Sequence, residues 1–225
     1  MTLQDNPTSY EAILSNLSLL DQQLSSLDLT QFLVFNRSYI VVTQTIKRQS
    51  DANFFKCSSQ VEQFTASFAQ HYFRAMNEII TNATSQSAAW DKLLQAKSHP
   101  HSIQLLMGAN AHINHDLPLT MVEFLGKSHS KELFQDILSI DRLLIESGRE
   151  IIGLFDEPHT CMSFAKRHLR FLYFTPILYM ILSWRISAYK SAKMIKKYGH
   201  SSTKFQTKSI RIANRLFGIG LLLKF

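Results

Sequence analysis

The 225-residue chain is 45% apolar with a net charge of +7, long enough for one domain with a substantial core. Seven Gly and five Pro supply few turns, which argues against a many-stranded sheet and for long helices. The charge is segregated: residues 1–157 hold 11 Lys/Arg against 17 Asp/Glu, whereas residues 158–225 hold 13 Lys/Arg and no acid, a block that suits nucleic acid, an anionic membrane surface or the acidic remainder of the chain.

The start has no basic region leading into an apolar run, so no secretory signal is expected. Cys57 and Cys161 stand apart, outside any C-x-x-C pair, and read as free thiols of a reducing compartment. Both point to a cytoplasmic protein.

In chain order, residues 8–27 form a first amphipathic helix, capped by Thr8 with Glu11 three residues on and carrying Ile13, Leu17, Leu20 and Leu24. Leu29–Arg48 is a second helix, despite the β-branched run Ile40-Val41-Val42, because no partner strand with hairpin chemistry follows. Asp51–Asn82 carries Phe55, Val61, Phe64, Phe68, Ala75 and Ile79 on one stripe, with His71, Arg74 and Glu78 beside it. His71 is a candidate site residue, against the plainer reading of a helix edge with a local Arg–Glu pair. After a polar loop, Thr81–Ser87, and Trp90, the His99-Pro100-His101 break reads as loop.

Ser102–Leu117 is the next helix, continuing past Pro118 to Leu125 with a kink at the proline. It holds Gly108-Ala-Asn-Ala-His-Ile-Asn-His-Asp-Leu-Pro118, which concentrates polar groups between apolar runs. At 100° per residue His112 and Asp116 share a face with Leu105, Gly108 and Ala109, while Asn110 and Asn114 fall on the other side. The small residues leave room for a ligand or for a neighbouring helix.

Ser130–Phe155 is the most regular amphipathic helix, ended by Asp156-Glu157-Pro158. Asp141 falls within its apolar stripe, where a carboxylate requires a partner. Phe171–Trp184, apolar all round but too short to span a bilayer, reads as the central helix of the bundle, and Arg185 directly after it is a candidate partner for a buried carboxylate. Residues 201–225 form a tail, basic up to Arg215 and then apolar, packed on a 1–200 domain or facing a membrane or partner. The whole is read as one all-α bundle of about six to eight helices.

His112, His115 and Asp116 have the i, i+3, i+4 spacing of a helical metal box for zinc, iron or manganese, with Asp141, His71 or Glu78 to complete it. Two other readings stand beside it. One is a satisfied polar network with Arg185, Asp141 and a Tyr; the other is a metal-free binding or acid–base site. No G-x-S-x-G elbow, phosphate loop, zinc-finger or RNP signature occurs, so neither nucleophilic catalysis nor specific nucleic-acid binding is expected.

The motif Asn110-Ala-His-Ile-Asn-x-Asp-Leu-Pro118 resembles the signature of a mainly bacterial helical family catalogued as a domain of unknown function. The likeness extends to Tyr39-x-x-Val-Thr43, Phe54-Phe55, Phe68-Ala-x-x-Tyr-Phe73 with Ala75, Asp136, Ile140-Asp141 and Arg185-x-x-Ala-Tyr189-x-x-Ala192. It implies an all-helical domain and points to Asn110, His112, Asn114 and Asp116, with Arg185. It leaves position 115 open, which weakens a two-His metal site. This chain departs from it at Asp141, where Asn is expected, and at Tyr189, where Trp is expected. The resemblance implies no activity.

Two functions are therefore expected. In the first, the bundle binds or transforms a small-molecule or lipid-like ligand: His112 is general base or metal ligand, Asp116 its orienter or co-ligand, and Arg185 holds an anionic group, with Asn110, Asn114, Asp141 and His71 lining the site. In the second, the protein is a non-catalytic interaction partner with a structural polar network, its tail docked peripherally on an anionic membrane or partner.

Overall fold

The computed structural model describes residues 6–125, 131–154, 163–198 and 203–223. Among them the chain is helical throughout, with no strand. In order come α1 (Tyr10–Ser26), a short 3-10 turn, α2 (Leu33–Asp51), α3 (Ser58–Asn82), α4 (Ala88–Leu94), α5 (His101–Ala111), a π turn (His112–Asp116), α6 (Leu117–Leu125), α7 (Lys131–Gly153), α8 (Ser163–Tyr198) and α9 (Thr203–Leu222). Because α5 runs through the π turn into α6 as one continuous helix, the described residues make eight helices, an all-α bundle.

Local chemistry sets the ends. Ser9, not Thr8, caps α1: its Oγ accepts from Ala12 N at 3.2 Å, and Glu62 of α3 accepts from Tyr10 N at 2.9 Å. Ile13, Leu17, Leu20 and Leu24 are fully buried, as their spacing requires. The stripe read from Asp51 to Asn82 is broken, since α2 runs to Asp51, Asn53 takes a left-handed conformation (φ 57°), and α3 starts only at Ser58. Asp136 of α7 secures this corner by accepting from Cys57 N at 2.7 Å. The end of the seventh helix at Asp156-Glu157-Pro158 lies outside the described residues.

Among the described residues, the most enclosed helix is the one carrying the motif. Every residue from Ile103 to Asn114 is buried, with α5 packed among α2, α4, α8 and α9. Helix α8 turns part of its surface outward: Tyr179 is 70% and Ile186 60% exposed, while Trp184, Arg185, Ala188, Ala192 and Ile195 face the core. The side chains of residues 171–176 lie outside the described residues. The basic tail is a helix that joins the bundle, with α9 lying against α4, α5 and the π turn through Ser209, Ala213 and Leu216. His99, expected in a loop, is buried against it, donating from Nε2 to Phe217 O at 3.0 Å. No described helix is long and apolar enough to cross a membrane.

Candidate functional site

Pro118 shapes the motif from below. An α register would ask it for an N–H to Asn114 O that proline lacks. The chain widens just before it into a π turn, in which Leu117 N bonds back to His112 O. Such single-turn bulges recur at functional sites. The expected kink at the proline is thus taken up one turn earlier, within the motif.

The turn presents Asp116 inward, 2% exposed, to donors from two elements. His112 Nδ1 lies 3.0 Å from Oδ2, Trp90 Nε1 of α4 donates to the same oxygen at 3.2 Å, and His115 Nδ1 lies 2.8 Å from Oδ1. Burial alone would raise the Asp116 pKa, but the hydrogen bonds from His112 and His115 outweigh it and hold it at about 2. For His112 burial dominates and lowers the pKa, with the Asp116 bond opposing. The pair is therefore a carboxylate and a neutral imidazole whose Nδ1–H is committed to it, which leaves the lone pair on Nε2.

That Nε2 is buried and has no hydrogen-bond partner. The ring is boxed by aromatics: Phe68 stacks on it at 3.7 Å, with Tyr39, Phe35 and Tyr72 at 4.8, 5.6 and 5.9 Å. His112 lines an apolar cavity of about 110 Å³ shared by α2, α3, α5, α7 and α8, with Phe68, Ala109, Leu144, Ile181 and Arg185 among its walls. Tyr39 lines it too; its hydroxyl is likewise buried without a partner, and burial pushes its pKa well up, so it stays a donor.

The structure divides the other candidates. Arg185 reaches the cavity wall, but its Nε meets the Asp141 carboxylate and its Nη2 the Ile137 carbonyl at 3.4 Å, so its charge is already compensated rather than held for an anionic ligand. Asp141 thereby has the partner that its place on an apolar stripe demands, and neither residue joins His112 and Asp116 in one network. Asn110 and Asn114 face α9: Asn114 donates to Asn110 Oδ1 at 3.1 Å, Asn110 to Ser209 O at 3.0 Å, and Lys208 Nζ to Asn114 Oδ1 at 3.2 Å. They fasten the motif helix to the C-terminal helix and do not line the cavity. His71 pairs with Glu123 of α6 at 3.3 Å and also stands off the cavity wall, while Glu78 accepts from Gln86 N at 2.9 Å.

The room beside Gly108 is filled by protein: a Cβ there would stand 2.6 Å from Phe35 Cγ, so the glycine admits the Phe35 ring rather than a ligand. Nor do the described residues carry the metal expectation. No group of three or more His, Cys, Asp or Glu among them could hold an ion. Sequence reasoning missed the aromatic box, Trp90 as a donor and Lys208 as a partner of Asn114. The aromatic residues of α2 and α3 have ordinary core spacing, and nothing along the chain announces that they converge on one imidazole.

A family model described as a family of unknown function (DUF5995) matches residues 11–219. No curated protein and no solved structure matches the chain.

Proposed function

The chain belongs to the DUF5995 family, a family of unknown function, so its activity has to be read from the site, and we propose that the cavity binds a small apolar molecule bearing a hydroxyl group. The observation that carries this is a pair of buried, unpartnered polar atoms, His112 Nε2 and the Tyr39 hydroxyl, carried by two residues that line this mainly apolar cavity. Orphaned buried polar atoms are costly in a fold, and a ligand that satisfies both removes the cost. Nε2 offers a lone pair and Tyr39 a proton, and a hydroxyl is donor and acceptor at once. A carboxylate answers only Tyr39, and Arg185 is already neutralised by Asp141.

The enclosed space is somewhat smaller than the ~150 Å³ engineered cavity that accepts benzene, so the enclosed part of the ligand is about one small ring or a short alkyl chain. His112 is then a general base for the hydroxyl proton, with Asp116 holding the tautomer and offsetting the imidazolium charge. A purely structural role for the same residues draws support from Asp116, whose oxygens already accept from His112, His115 and Trp90.

Titration with phenol and with benzene, followed by calorimetry and by the NMR signals of His112, separates the two readings. Phenol should bind about tenfold more tightly than benzene, the worth of one or two added hydrogen bonds. In His112→Phe, which leaves only the Tyr39 hydroxyl, that preference should shrink severalfold. Equal affinity for the two probes, no binding of either, or a preference undiminished in His112→Phe overturns the proposal.

A further inference from the structure

The last turn of α9 carries aliphatic side chains that the fold holds outside. Ile219, Leu221, Leu222 and Leu223 are 44–76% exposed. Around them the helix is pinned and not frayed. Leu216 is buried, His99 donates to Phe217 O, and a Cβ at Gly220 would stand 2.0 Å from the His99 ring, so that ring lies directly on the helix backbone. Lys92 Nζ sits 3.9 Å from the Phe217 ring centroid. The apolar end thus follows directly on a part of α9 that is packed against the bundle.

Its surroundings are cationic. Arg211 and Arg215, two to three turns inward, are exposed, and residues 201–225 hold five Lys/Arg and no acid. The angular spread of the aliphatics decides what they suit. At 100° per residue Leu221, Leu222, Ile219 and Leu223 fan over about 200° of the helix circumference. A protein groove reads a helix as a narrow stripe at i, i+3/i+4 and i+7. A helix end apolar round more than half its girth, with cations set back from it, matches the acyl–headgroup boundary of a bilayer.

We propose that the C-terminal end of α9 is a membrane-docking tip, which inserts Ile219, Leu221, Leu222 and Leu223 into an anionic bilayer and sets Arg211 and Arg215 against headgroup phosphates. The proposal is independent of the cavity and its ligand. Since α9 packs into the bundle, deletion of the tail would unfold the domain; point variants of exposed residues leave it folded.

The test is flotation of the full chain with vesicles of phosphatidylcholine and phosphatidylserine, against phosphatidylcholine alone. The chain should float with the anionic vesicles. Arg211→Gln/Arg215→Gln should weaken binding by roughly 25-fold, about fivefold per cation from ~1 kcal/mol each near an anionic surface. Leu222→Asp/Leu223→Asp should abolish it while leaving the thermal melt unchanged. No flotation of the native chain overturns the proposal, as does flotation that survives Leu222→Asp/Leu223→Asp. A native chain that ignores vesicles and self-associates, becoming monomeric in that variant, also overturns it and assigns the tip to contact between copies.

Discussion

The His112 imidazole lies flat on the Phe68 ring, centroids 3.7 Å apart and planes within 10°. Together with the bond from Nδ1 to Asp116, this stack fixes the ring in two directions, so Nε2 has a single orientation. A histidine held by a carboxylate at one edge and by an aromatic face is placed before any ligand arrives, which is what a base or an acceptor requires.

Asp116→Asn keeps the size of the side chain and removes its charge. His112, His115 and Trp90 then compete for an amide, one of whose two polar atoms can only donate. A stability loss of about 2–5 kcal/mol is expected in urea denaturation, the range for breaking a buried, hydrogen-bonded charge. A loss below about 1 kcal/mol would show that the network does not hold the bundle together.

Stability should also fall on mild acidification. Burial keeps His112 neutral in the fold, with a pKa below the ordinary histidine value. In the unfolded chain the same imidazole takes up a proton near pH 6.5, so below that pH the unfolded state binds more protons and gains on the native one. The slope reaches about 1.4 kcal/mol per pH unit until the folded value is passed. Asp116, held at about 2 against 3.8, adds a second step: its stabilisation is present above pH ~4 and is lost as pH falls toward 2. Denaturation midpoints at pH 7.5 and 5.5 should differ markedly in the native chain and much less in His112→Phe.

Arg185 and Asp141 form a pair in which the arginine side chain is 8% and the carboxylate 28% exposed. Arg185→Met leaves Asp141 uncompensated on the apolar stripe of α7 and should cost about 1–3 kcal/mol. Adding Asp141→Leu removes the stranded charge and should recover most of that loss, because an apolar pair of similar volume replaces an ion pair at little cost. Additive losses in the double-mutant cycle would show that the two side chains do not depend on each other.

What the sequence made legible follows from how local each signal is. The helical stripe of α1 repeats within one turn, so Ile13, Leu17 and Leu20 are placed inside by spacing alone, whereas Leu138 and Ile145, which the same spacing puts on the apolar stripe of α7, are 47% and 50% exposed. His112 with Asp116 was likewise a matter of i and i+4, and Asp141 on an apolar stripe demanded a cation that Arg185 supplies. The π turn is hidden from the sequence because a regular 100° per residue runs straight through it. Asn110 and Asn114 looked like site residues by type, yet their partners Ser209 and Lys208 lie more than ninety residues away. The enclosure of α5 is obscured by its mixed composition: a run of Gly, Ala, Asn and His reads as only partly apolar, but its small and mutually bonded side chains pack on all sides.

Two glycines with opposite surroundings offer the sharpest check on the packing around the motif. At Gly108 a Cβ would stand 2.6, 2.7 and 2.8 Å from Phe35 Cγ, Cβ and Cδ2. Because one of these is the Phe35 Cβ itself, rotating the ring cannot clear the contact, and α2 must move away from α5. Alanine gains up to about 1 kcal/mol in helix propensity there, but overpacking costs about 1–3 kcal/mol, so Gly108→Ala should destabilise. It should also disturb Tyr39 and His112, which pack on the same ring. Phe35→Ala, which removes Cγ and Cδ2 and leaves only the Cβ contact, should partly rescue the fold in that background, an interaction energy of favourable sign in the cycle. Gly218 has nothing within 4 Å of its added Cβ, so Gly218→Ala should stabilise by about 0.5–1 kcal/mol. If Gly108→Ala matched Gly218→Ala in urea denaturation, the close approach of Phe35 to the motif helix would be refuted.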